Sequence, residues 1–302
     1  MTGFSTISGN ISTIELQGEL FSKRNISVSM LRLDGVHPIV SGNKLFKLHY
    51  FLEDALRSTH KTLITFGGAY SNHLAATAFA CDQLKIKCIA FVRGEKAKEL
   101  SHTLQFCAQH RMQINFLDRA NYQTIHEKRF IDGLLDKFGD HILVPEGGFC
   151  IKGMRGATLI RNYIEPKKFT HICCAIGTAT TFAGLINGND DATIIGFAVL
   201  KGVHDFGSRL ERLSVSPQNN YSVIDDYHFG GYAKKNAALI AFMNSFYEQH
   251  TIPLDFVYTG KMMFGVMDLV EKNYFKEGSH ILSIHTGGLQ GNDSLAKGTL
   301  IF

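Results

Sequence analysis

The 302-residue sequence lacks the features that mark several large classes of protein. It has no apolar run of the roughly 20 residues that a transmembrane helix requires. Its first residues lack the basic and apolar regions of a secretory signal. It has no run rich in lysine and arginine, and its formal net charge is only +4. We therefore expect a cytoplasmic protein that does not bind membranes or nucleic acids as its main task.

Cysteine and histidine are present, but not in the patterns that bind metals. The six cysteines form no CxxC pair, and several lie in apolar segments. They are predicted to be free thiols in a reducing compartment. The fourteen histidines include no HExxH motif. No metal site is predicted.

The order of apolar segments predicts a doubly wound α/β fold. From about residue 62, short apolar runs alternate with segments of helical periodicity, which indicates right-handed crossovers and a parallel sheet. A chain of this length is near the upper size of a single core, so two subdomains are expected. Residues 256–258 are predicted to be short and extended, and residues 219–235 to be a long loop or insert.

A lysine at the start of a predicted helix is the first candidate for chemistry. An extended run at residues 37–40 leads into a turn at Ser41-Gly42-Asn43, and Lys44 opens the helix that follows. Lys47 lies on the same face, three residues further on. A second cation and a helix N-terminus both disfavour the charge of Lys44, and a neutral amine is what Schiff-base chemistry needs. The alternative is an ordinary lysine on a solvated face.

Two loops that follow predicted strands offer groups for a ligand, because ligands bind at the carboxyl ends of strands in open α/β sheets. Gly67-Gly68 is followed by Ser71, Asn72 and His73, which offer hydrogen bonds to a ligand or merely cap the next helix. Residues 177–181 (Gly177, Thr178, Ala179, Thr180 and Thr181) enter another helix. They suit a phosphate, although a threonine-rich turn is the alternative.

The dinucleotide fingerprint and the Walker motif are both absent from this second loop. Tyr258 follows another short run and is as consistent with packing as with function. Together the candidates provide a lysine for an aldehyde, a loop for one phosphate, and small polar groups for a ring and a carboxylate. Pyridoxal 5'-phosphate (PLP) requires this combination.

The motifs occur in an order that resembles a known family. They are Ser41-Gly42-Asn43-Lys44, Gly68-Ala69-Tyr70-Ser71-Asn72-His73, Pro145-Glu146-Gly147-Gly148, Val257-Tyr258-Thr259-Gly260-Lys261 and His285-Thr286-Gly287-Gly288. The sequence is similar, from about residue 35 to 290, to the 1-aminocyclopropane-1-carboxylate (ACC) deaminase/D-cysteine desulfhydrase family. These are PLP enzymes of fold type II, the tryptophan synthase β-subunit-like fold, in which the phosphate loop usually has consecutive glycines.

The resemblance implies roles for individual residues. Lys44 would be the Schiff-base lysine, Asn72 would bond the 3-hydroxyl of the cofactor, and Ser71 and His73 would lie near the substrate carboxylate. Residues 177–181 would hold the phosphate, aided by Lys47. Tyr258 would lie by the ring and the substrate.

The resemblance also bears on the substrate. ACC deaminases have Glu where this chain has Thr259 and Leu where it has Thr286, whereas the D-cysteine desulfhydrase branch has threonine at both positions. A threonine hydroxyl would then face the pyridine nitrogen. The expected reaction converts D-cysteine to pyruvate, hydrogen sulfide and ammonia. ACC deaminase, another amino-acid deaminase or racemase of this fold, and a non-catalytic PLP-binding homologue are the alternatives.

The same resemblance sets the expected organisation of the chain. Residues 1–47 and 153–302 are predicted to form a large PLP-binding domain, and residues 48–152 a small α/β domain. The active site is expected in the cleft between them. The family also implies a homodimer.

Overall fold

The computed structural model describes residues 10–37, 42–188, 191–202, 205–216 and 220–302, with the side chain of Leu135 left out. Most of the extended run predicted at residues 37–40, and Ser41 of the lysine motif, lie outside this description. The described strands, in chain order, are β1 (Thr13–Leu16), β2 (Ser27–Arg32), β3 (Thr62–Gly68), β4 (Lys87–Arg93), β5 (Gln113–Leu117), β6 (Ile142–Val144), β7 (His171–Ile176), β8 (Thr193–Ala198), β9 (Tyr221–Ile224) and β10 (His280–His285).

Helices connect these strands and flank the sheets. They are α1 (Glu19–Lys23), α2 (Asn43–Arg57), α3 (Asn72–Gln83), α4 (His102–Gln109), α5 (Arg119–Gln123), α6 (Lys128–Phe138), α7 (Ile151–Thr158), α8 (Thr180–Asn187), α9 (Phe206–Arg212), α10 (Ala237–His250) and α11 (Thr259–Glu271). Short 3₁₀ segments lie at Leu33–Val36, Glu146–Gly148, Leu159–Tyr163 and Leu289–Ser294. Within the described ranges, no helix is both long enough and apolar enough to cross a bilayer.

The strands form two sheets. The larger sheet has the order β1-β2-β10-β7-β8-β9, and the smaller has the order β5-β4-β3-β6. All pairings are parallel except β1 with β2, which is antiparallel. Parallel strands covered on both faces are expected to be continuously apolar. The interior residues of β3, β4, β7 and β8 are buried accordingly, which confirms the predicted α/β class.

Two local predictions were wrong. Strand β9 lies inside the segment predicted as a loop; among the described strands it pairs only with β8, at the edge of the sheet. Residues 256–258 are a turn rather than an extended segment, because the Asp255 carboxylate accepts hydrogen bonds from the backbone N–H groups of residues 257, 258 and 259. The carboxylate therefore draws this segment into the N-terminus of α11.

Helix α2 connects the two sheets and positions Lys44. Its buried residues, among them Leu48, join one apolar cluster with Leu63 of the smaller sheet and Ile172 of the larger. The predicted boundary between the two domains, at residues 47 and 48, falls within this helix. The domain bounds remain a prediction, but each sheet is built from one of the two predicted regions.

Helix α7 packs closely against α2 at Gly156. A Cβ at this position would lie 2.2 Å from the carbonyl oxygen of Phe46 and 3.4 Å from the Cα of Lys47. The backbone of the lysine-bearing helix therefore leaves no room for a side chain at residue 156.

We expect Gly156→Ala to destabilise the protein by about 2 kcal/mol, as overpacking of a tight contact does. Gly133 in α6 is the matched control, since a Cβ there meets nothing within 4 Å. Gly133→Ala should stabilise by about 0.5–1 kcal/mol through helix propensity. Urea unfolding followed by circular dichroism measures both; equal effects at the two glycines would contradict the assigned packing.

Candidate active site

A cavity of about 490 Å³ opens at the carboxyl ends of β3, β4, β7 and β10. Its wall comes from both sheets and from the start of α2. Its lining residues are Asn43, Lys44, Lys47, Gly68, Ala69, Tyr70, Ser71, Asn72, His73, Arg93, Glu146, Gly147, Ala175, Gly177, Thr178, Ala179, Thr180, Thr181, Phe182, Leu200, Arg209, Tyr232, Tyr258, Thr286, Gly287 and Gly288. The structure thus brings together all the residues predicted for the site except Thr259.

Two hydrogen bonds connect the candidate lysine to the candidate phosphate loop. The Lys44 ammonium donates to Asn43 Oδ1 at 2.7 Å, and Asn43 Nδ2 donates to Thr181 Oγ1 at 2.6 Å. Because Thr181 accepts here, its own hydroxyl hydrogen is free to be donated into the cavity. Lys44 Nζ also lies 5.8 Å from the centre of the Tyr258 ring.

The start of α2 is held by direct backbone contact. Gly42 has φ 86°, and a Cβ there would lie 1.8 Å from the carbonyl oxygen of Thr286. The N–H of Asn43 donates to this same oxygen at 3.2 Å. Only glycine fits at residue 42, which explains the Gly-Asn-Lys order of the motif.

Burial is the main reason why Lys44 is easily deprotonated. Enclosure by the cavity walls lowers the pKa of Lys44 to about 8, and the Asp255 carboxylate partly opposes this shift. The pKa of Lys47 is lowered further, by burial first and by the charge of Lys44 second. We had predicted that a second cation and the helix N-terminus would shift Lys44; the structure assigns the shift to burial.

The loop at residues 177–181 has the geometry of an anion site. Ala179 caps α8 with φ 69°, in the left-handed region that favours glycine. The hydroxyls of Thr178 and Thr180 are 2.9 Å apart. The first backbone N–H groups of a helix lack partners within that helix, and they carry partial positive charge. The loop therefore offers donors in the arrangement that suits a phosphate.

The loop after β3 both caps the next helix and offers a hydrogen-bonding group to a ligand, which were the two predicted alternatives. Ser71 caps α3, with its hydroxyl accepting from the Leu74 N–H at 3.3 Å. Asn72 Oδ1 is buried and has no hydrogen-bond partner among the described residues. A Cβ at Gly288 would lie 2.9 Å from Asn72 Nδ2, so the glycine lets this amide reach the cavity. An unpaired buried carbonyl oxygen in the same cavity as Lys44 suits the hydroxyl of a bound cofactor.

Hydrogen bonds determine the tautomer of His73. Thr65 donates its single hydroxyl hydrogen to the Val144 carbonyl at 3.0 Å, so it must accept from His73 Nε2 at 2.8 Å. His73 is therefore the neutral Nε2–H form, and its buried Nδ1 has no partner in the described structure. Burial, followed by the charges of Lys47 and Lys44, lowers the pKa of His73 to about 3.

Thr259 does not lie where we predicted. Its hydroxyl donates to Asp255 Oδ1 at 2.6 Å and accepts from the Asp255 N–H at 2.9 Å. It is fully buried and is not part of the cavity wall. Its hydroxyl is occupied in the cap of α11, so it is not free to contact a cofactor. Thr286 does line the cavity.

Arg93, Glu146, Tyr232 and Arg209 are among the cavity residues to which the sequence assigned no role. Arg93 ends β4, and its place after a predicted strand was a usable signal. Glu146 belongs to a motif that had been recognised without a role for its carboxylate. Tyr232 and Arg209 lie in segments where no motif was found, and only the folded chain brings them to the cavity.

A fully buried lysine holds the segment that carries Tyr232. Lys261 Nζ donates to the carbonyls of His228 at 2.9 Å and Gly231 at 2.7 Å. Its side chain forms no ion pair within the described residues, and burial lowers its pKa to about 8. The Tyr232 ring lies 6.3 Å from the ring of Tyr258. Lys261 thus positions one tyrosine beside the other.

These side chains fit a PLP site. Asn72 Oδ1 is an unpaired buried acceptor, residues 177–181 are a cradle for a phosphate, and Lys44 is an amine of lowered pKa. The two sheets, the cleft and this donor set together define a PLP-dependent enzyme of fold type II.

Comparison with known proteins agrees with this assignment. The family model described as "Pyridoxal-phosphate dependent enzyme" matches residues 17–287. The chain belongs to this family, and PLP is its cofactor.

Two curated relatives show what this chain is similar to. A "Putative 1-aminocyclopropane-1-carboxylate deaminase" of Pyrococcus abyssi is 29% identical over 272 residues, which cover 83% of this chain and 81% of the relative. A "D-cysteine desulfhydrase" of Salmonella choleraesuis is 29% identical over 286 residues, which cover 85% of this chain and 86% of the relative. The resemblance inferred from the motifs is confirmed.

Solved structures show the same architecture. A crystal structure of an ACC deaminase homologue superposes with a TM-score of 0.80 at 28% identity, covering 95% of this chain and 91% of that one. An O-ureido-L-serine synthase superposes with a TM-score of 0.68 at 13% identity, covering 99% and 97%. The second likeness shows the fold alone.

We predict that His73 makes stability fall in acid. Its folded pKa lies below its unfolded value, so the unfolded state binds the proton first, and stability is lost as pH falls below about 6.5. Between pH 7 and 5 this loss is about 2 kcal/mol. Urea unfolding should show that His73→Gln removes this part of the pH dependence, whereas His126→Gln, at an exposed position, should not. An unchanged profile for His73→Gln would contradict the assigned neutral state.

We also predict that Lys261→Met acts on substrate binding. Without two hydrogen bonds to residues 228 and 231, the Tyr232 segment loses its anchor, and KM for the amino acid should rise severalfold while the cofactor remains bound. Lys276→Met, at an exposed lysine shortly after the same helix, is the matched control. Steady-state kinetics and cofactor absorbance test this. A fall in stability with no change in KM would show that Lys261 is merely structural.

Proposed function

We propose that the protein is a PLP-dependent lyase that deaminates a small amino acid by β-elimination, as D-cysteine desulfhydrase does. D-cysteine and water would give pyruvate, hydrogen sulfide and ammonia. The observation that carries this proposal is the position of Lys44. Its amine is linked through Asn43 to the loop that suits a phosphate, in a cavity that also contains the unpaired Asn72 oxygen.

These contacts support the following roles for the cofactor-binding residues. Residues 177–181, with Gly177, Thr178, Ala179, Thr180 and Thr181, would hold the phosphate by backbone N–H groups and hydroxyls. Asn72 would bond the ring hydroxyl, and Thr286 would face the ring nitrogen in place of Thr259. When bound, PLP supplies an aldehyde that bonds an amine and a ring that accepts electrons.

Lys47 has a less direct role in this proposal. Its ammonium donates to the Gly147 carbonyl at 3.1 Å, so it holds the turn beside the phosphate loop. Burial and Lys44 both disfavour the charge of Lys47, whereas a bound phosphate would favour it, so Lys47 would add positive charge to the site once the phosphate is present.

The remaining residues would act on the substrate. Lys44 would take the α-proton of the amino acid and hold it at Nζ, which its lowered pKa favours near neutral pH. Ser71 and Asn72, together with the backbone N–H of His73, would bind the substrate carboxylate at the start of α3. The His73 Nε2–H is already bonded to Thr65, so its ring would serve as a fixed wall rather than a proton carrier. Tyr258 would cover the ring and the substrate.

D-cysteine is favoured over ACC by the group that would face the pyridine nitrogen. ACC has no α-hydrogen, so opening its ring requires an additional route and a strong electron sink. Among the described lining residues the sole carboxylate is Glu146, which lies in the turn beside the phosphate loop. Thr286 offers a hydroxyl, which is sufficient for elimination of a substrate with an α-hydrogen.

The organisation of the molecule completes the proposal. The large domain would comprise residues 1–47 and 153–302, the small domain residues 48–152, and the site the cleft between them. The family resemblance supports a homodimer. Six free cysteines, five of them buried, support a reducing, cytoplasmic location.

The proposal is tested with purified protein loaded with PLP. We expect visible absorbance that borohydride abolishes, and release of pyruvate and sulfide from D-cysteine. Lys44→Ala should lose the absorbance and reduce turnover by at least about 10³-fold, because the residue that attaches the cofactor and moves the proton is absent. Lys61→Ala, at an exposed lysine, is the matched control.

Other outcomes separate the alternatives. Release of 2-oxobutyrate from ACC at rates comparable with D-cysteine would favour ACC deaminase. Bound PLP with no turnover across D- and L-amino acids would favour a non-catalytic binding protein. Absorbance retained in Lys44→Ala would exclude Lys44 as the attachment site.

A further inference from the structure

The outer part of the cavity contains two opposite charges that the proposed reaction does not use. Arg93 and Glu146 both line the wall, yet they form no ion pair with each other in the described structure. A thiol group as small as that of cysteine needs neither charge. Arg93 and Glu146 are therefore candidates to bind the part of the substrate side chain that lies beyond the β-carbon.

Arg93 is held beside the loop that would bind the substrate carboxylate. It ends β4 and pairs in register with Gly68 of β3. A Cβ at Gly68 would lie 3.9 Å from Arg93 Nη2, so the guanidinium lies next to the start of the loop. Its Cζ lies 5.8 Å from the centre of the Tyr122 ring. Arg93 thus presents donors at the outer edge of the cavity.

Glu146 stands on a turn whose backbone is fixed from two sides. Gly147 has φ 62°, and its carbonyl accepts from the buried Lys47 ammonium at 3.1 Å. A Cβ at Gly147 would lie 2.9 Å from Thr178 Cγ2, so the turn also packs against the phosphate loop. The backbone that carries Glu146 is consequently held against the phosphate loop.

The charges of Arg93 and Glu146 shift the pKa of the same two tyrosines, Tyr122 and Tyr232. Burial raises the pKa of Tyr122, the Glu146 carboxylate raises it further, and Arg93 lowers it. The pKa of Tyr232 is shifted most by burial, then by Tyr258 and by Asp255. Arg93 and Glu146 shift it less, and in opposite directions. The two charges therefore meet in the region bounded by these tyrosines.

Tyr122 places the two charges on the same side of the site. Its side chain is only 6% exposed. Arg93 Cζ lies 5.8 Å from the centre of its ring, and the Glu146 carboxylate is near enough to its hydroxyl to raise its pKa. A carboxylate has two acceptor oxygens, so Glu146 can face Tyr122 and still accept from a ligand.

We propose that the substrate is an amino acid whose side chain, beyond the β-leaving atom, ends in an uncharged dipolar group such as a carboxamide. Its oxygen accepts from Arg93, and its N–H donates to Glu146. This inference rests on the proposed function, since the β-bond is broken at Lys44. The Cα–H and Cβ–S bonds break, and a carboxamide-bearing thiol, pyruvate and ammonia leave after addition of water.

The pair selects against other end groups. A carboxylate is attracted by Arg93 but repelled by Glu146, and an ammonium meets the reverse. An alkyl group forms no hydrogen bond with either charge, so it lacks two charge-assisted hydrogen bonds, although the exposed Arg93 and the half-buried Glu146 stay in contact with water. Only a group that both accepts and donates satisfies the two residues together.

A series of cysteine S-conjugates of matched size tests this, in D and L forms. The S-carbamoylmethyl, S-carboxymethyl, S-(2-aminoethyl) and S-isobutyl compounds differ mainly in their end group. We expect kcat/KM, measured by pyruvate release, to be at least tenfold higher for the carbamoylmethyl compound than for the isobutyl compound. Glu146→Gln should raise kcat/KM for the carboxymethyl compound relative to the amide. Arg93→Gln should raise kcat/KM for the aminoethyl compound relative to the amide.

Binding gives a second readout that does not depend on turnover. Glutamine, glutamate and homoleucine have no β-leaving group, and their dissociation constants are measured by calorimetry because the chain has no tryptophan to report by fluorescence. Glutamine should bind most tightly, and this preference should shrink in Arg93→Gln and Glu146→Gln. Arg129→Gln and Glu127→Gln, at exposed positions, are the matched controls.

The outcomes distinguish this inference from the proposed function. Equal kcat/KM for the isobutyl and carbamoylmethyl compounds, or an equal loss for every compound in both variants, overturns the inference while D-cysteine turnover still supports the function. If neither D-cysteine nor any conjugate is turned over, the function fails. A glutamine preference in calorimetry would then still support the side-chain site.

Discussion

The side chain of Asn43 links the two parts of the site on which the rest depends. One amide accepts from the Lys44 ammonium and donates to the Thr181 hydroxyl. The first residue of one helix thereby sets the distance between the reactive amine and the first turn of another. Neither hydrogen bond would hold if Gly42 did not lie against the Thr286 carbonyl, because that contact sets where the helix begins.

Burial, rather than a nearby charge, gives the site its chemical character. Removal from water lowers the pKa of Lys44 and Lys47 and keeps His73 neutral. The same low-polarity surroundings make the unpaired Asn72 oxygen and His73 nitrogen costly without a ligand. The walls that activate the lysine are thus also the walls that give a bound cofactor and substrate their hydrogen bonds.

The sequence predicted the parts of the fold and site that depend on local pattern. Continuous apolar runs ending in glycine predicted the central parallel strands, because strands covered on both faces have no polar side. Strand β9 was missed because its residues are only half buried at an edge of the sheet. The turn at residues 256–258 was missed because it depends on one carboxylate, that of Asp255, accepting three backbone bonds.

Within the site too, residues in a local motif could be predicted, whereas residues placed by distant contacts could not. Lys44 and Ser71 to His73 were found because each is part of a short motif at the start of a helix. Tyr232 is brought to the cavity by the bonds of Lys261, 29 residues further along the chain, and no local pattern encodes that distance. Thr259 was misplaced because a hydroxyl that caps a helix and one that faces a ligand look identical in sequence.

The close backbone contact at Gly42 has a consequence for how this protein can change over evolutionary time. The half of the cavity around Lys44 is defined by main-chain atoms in contact, so altering it requires coordinated shifts in segments far apart in sequence. The opposite half, at Arg93 and Glu146, is defined by side chains on a backbone that stays in place. Single substitutions there can redirect the enzyme toward new substrates while leaving its cofactor chemistry intact.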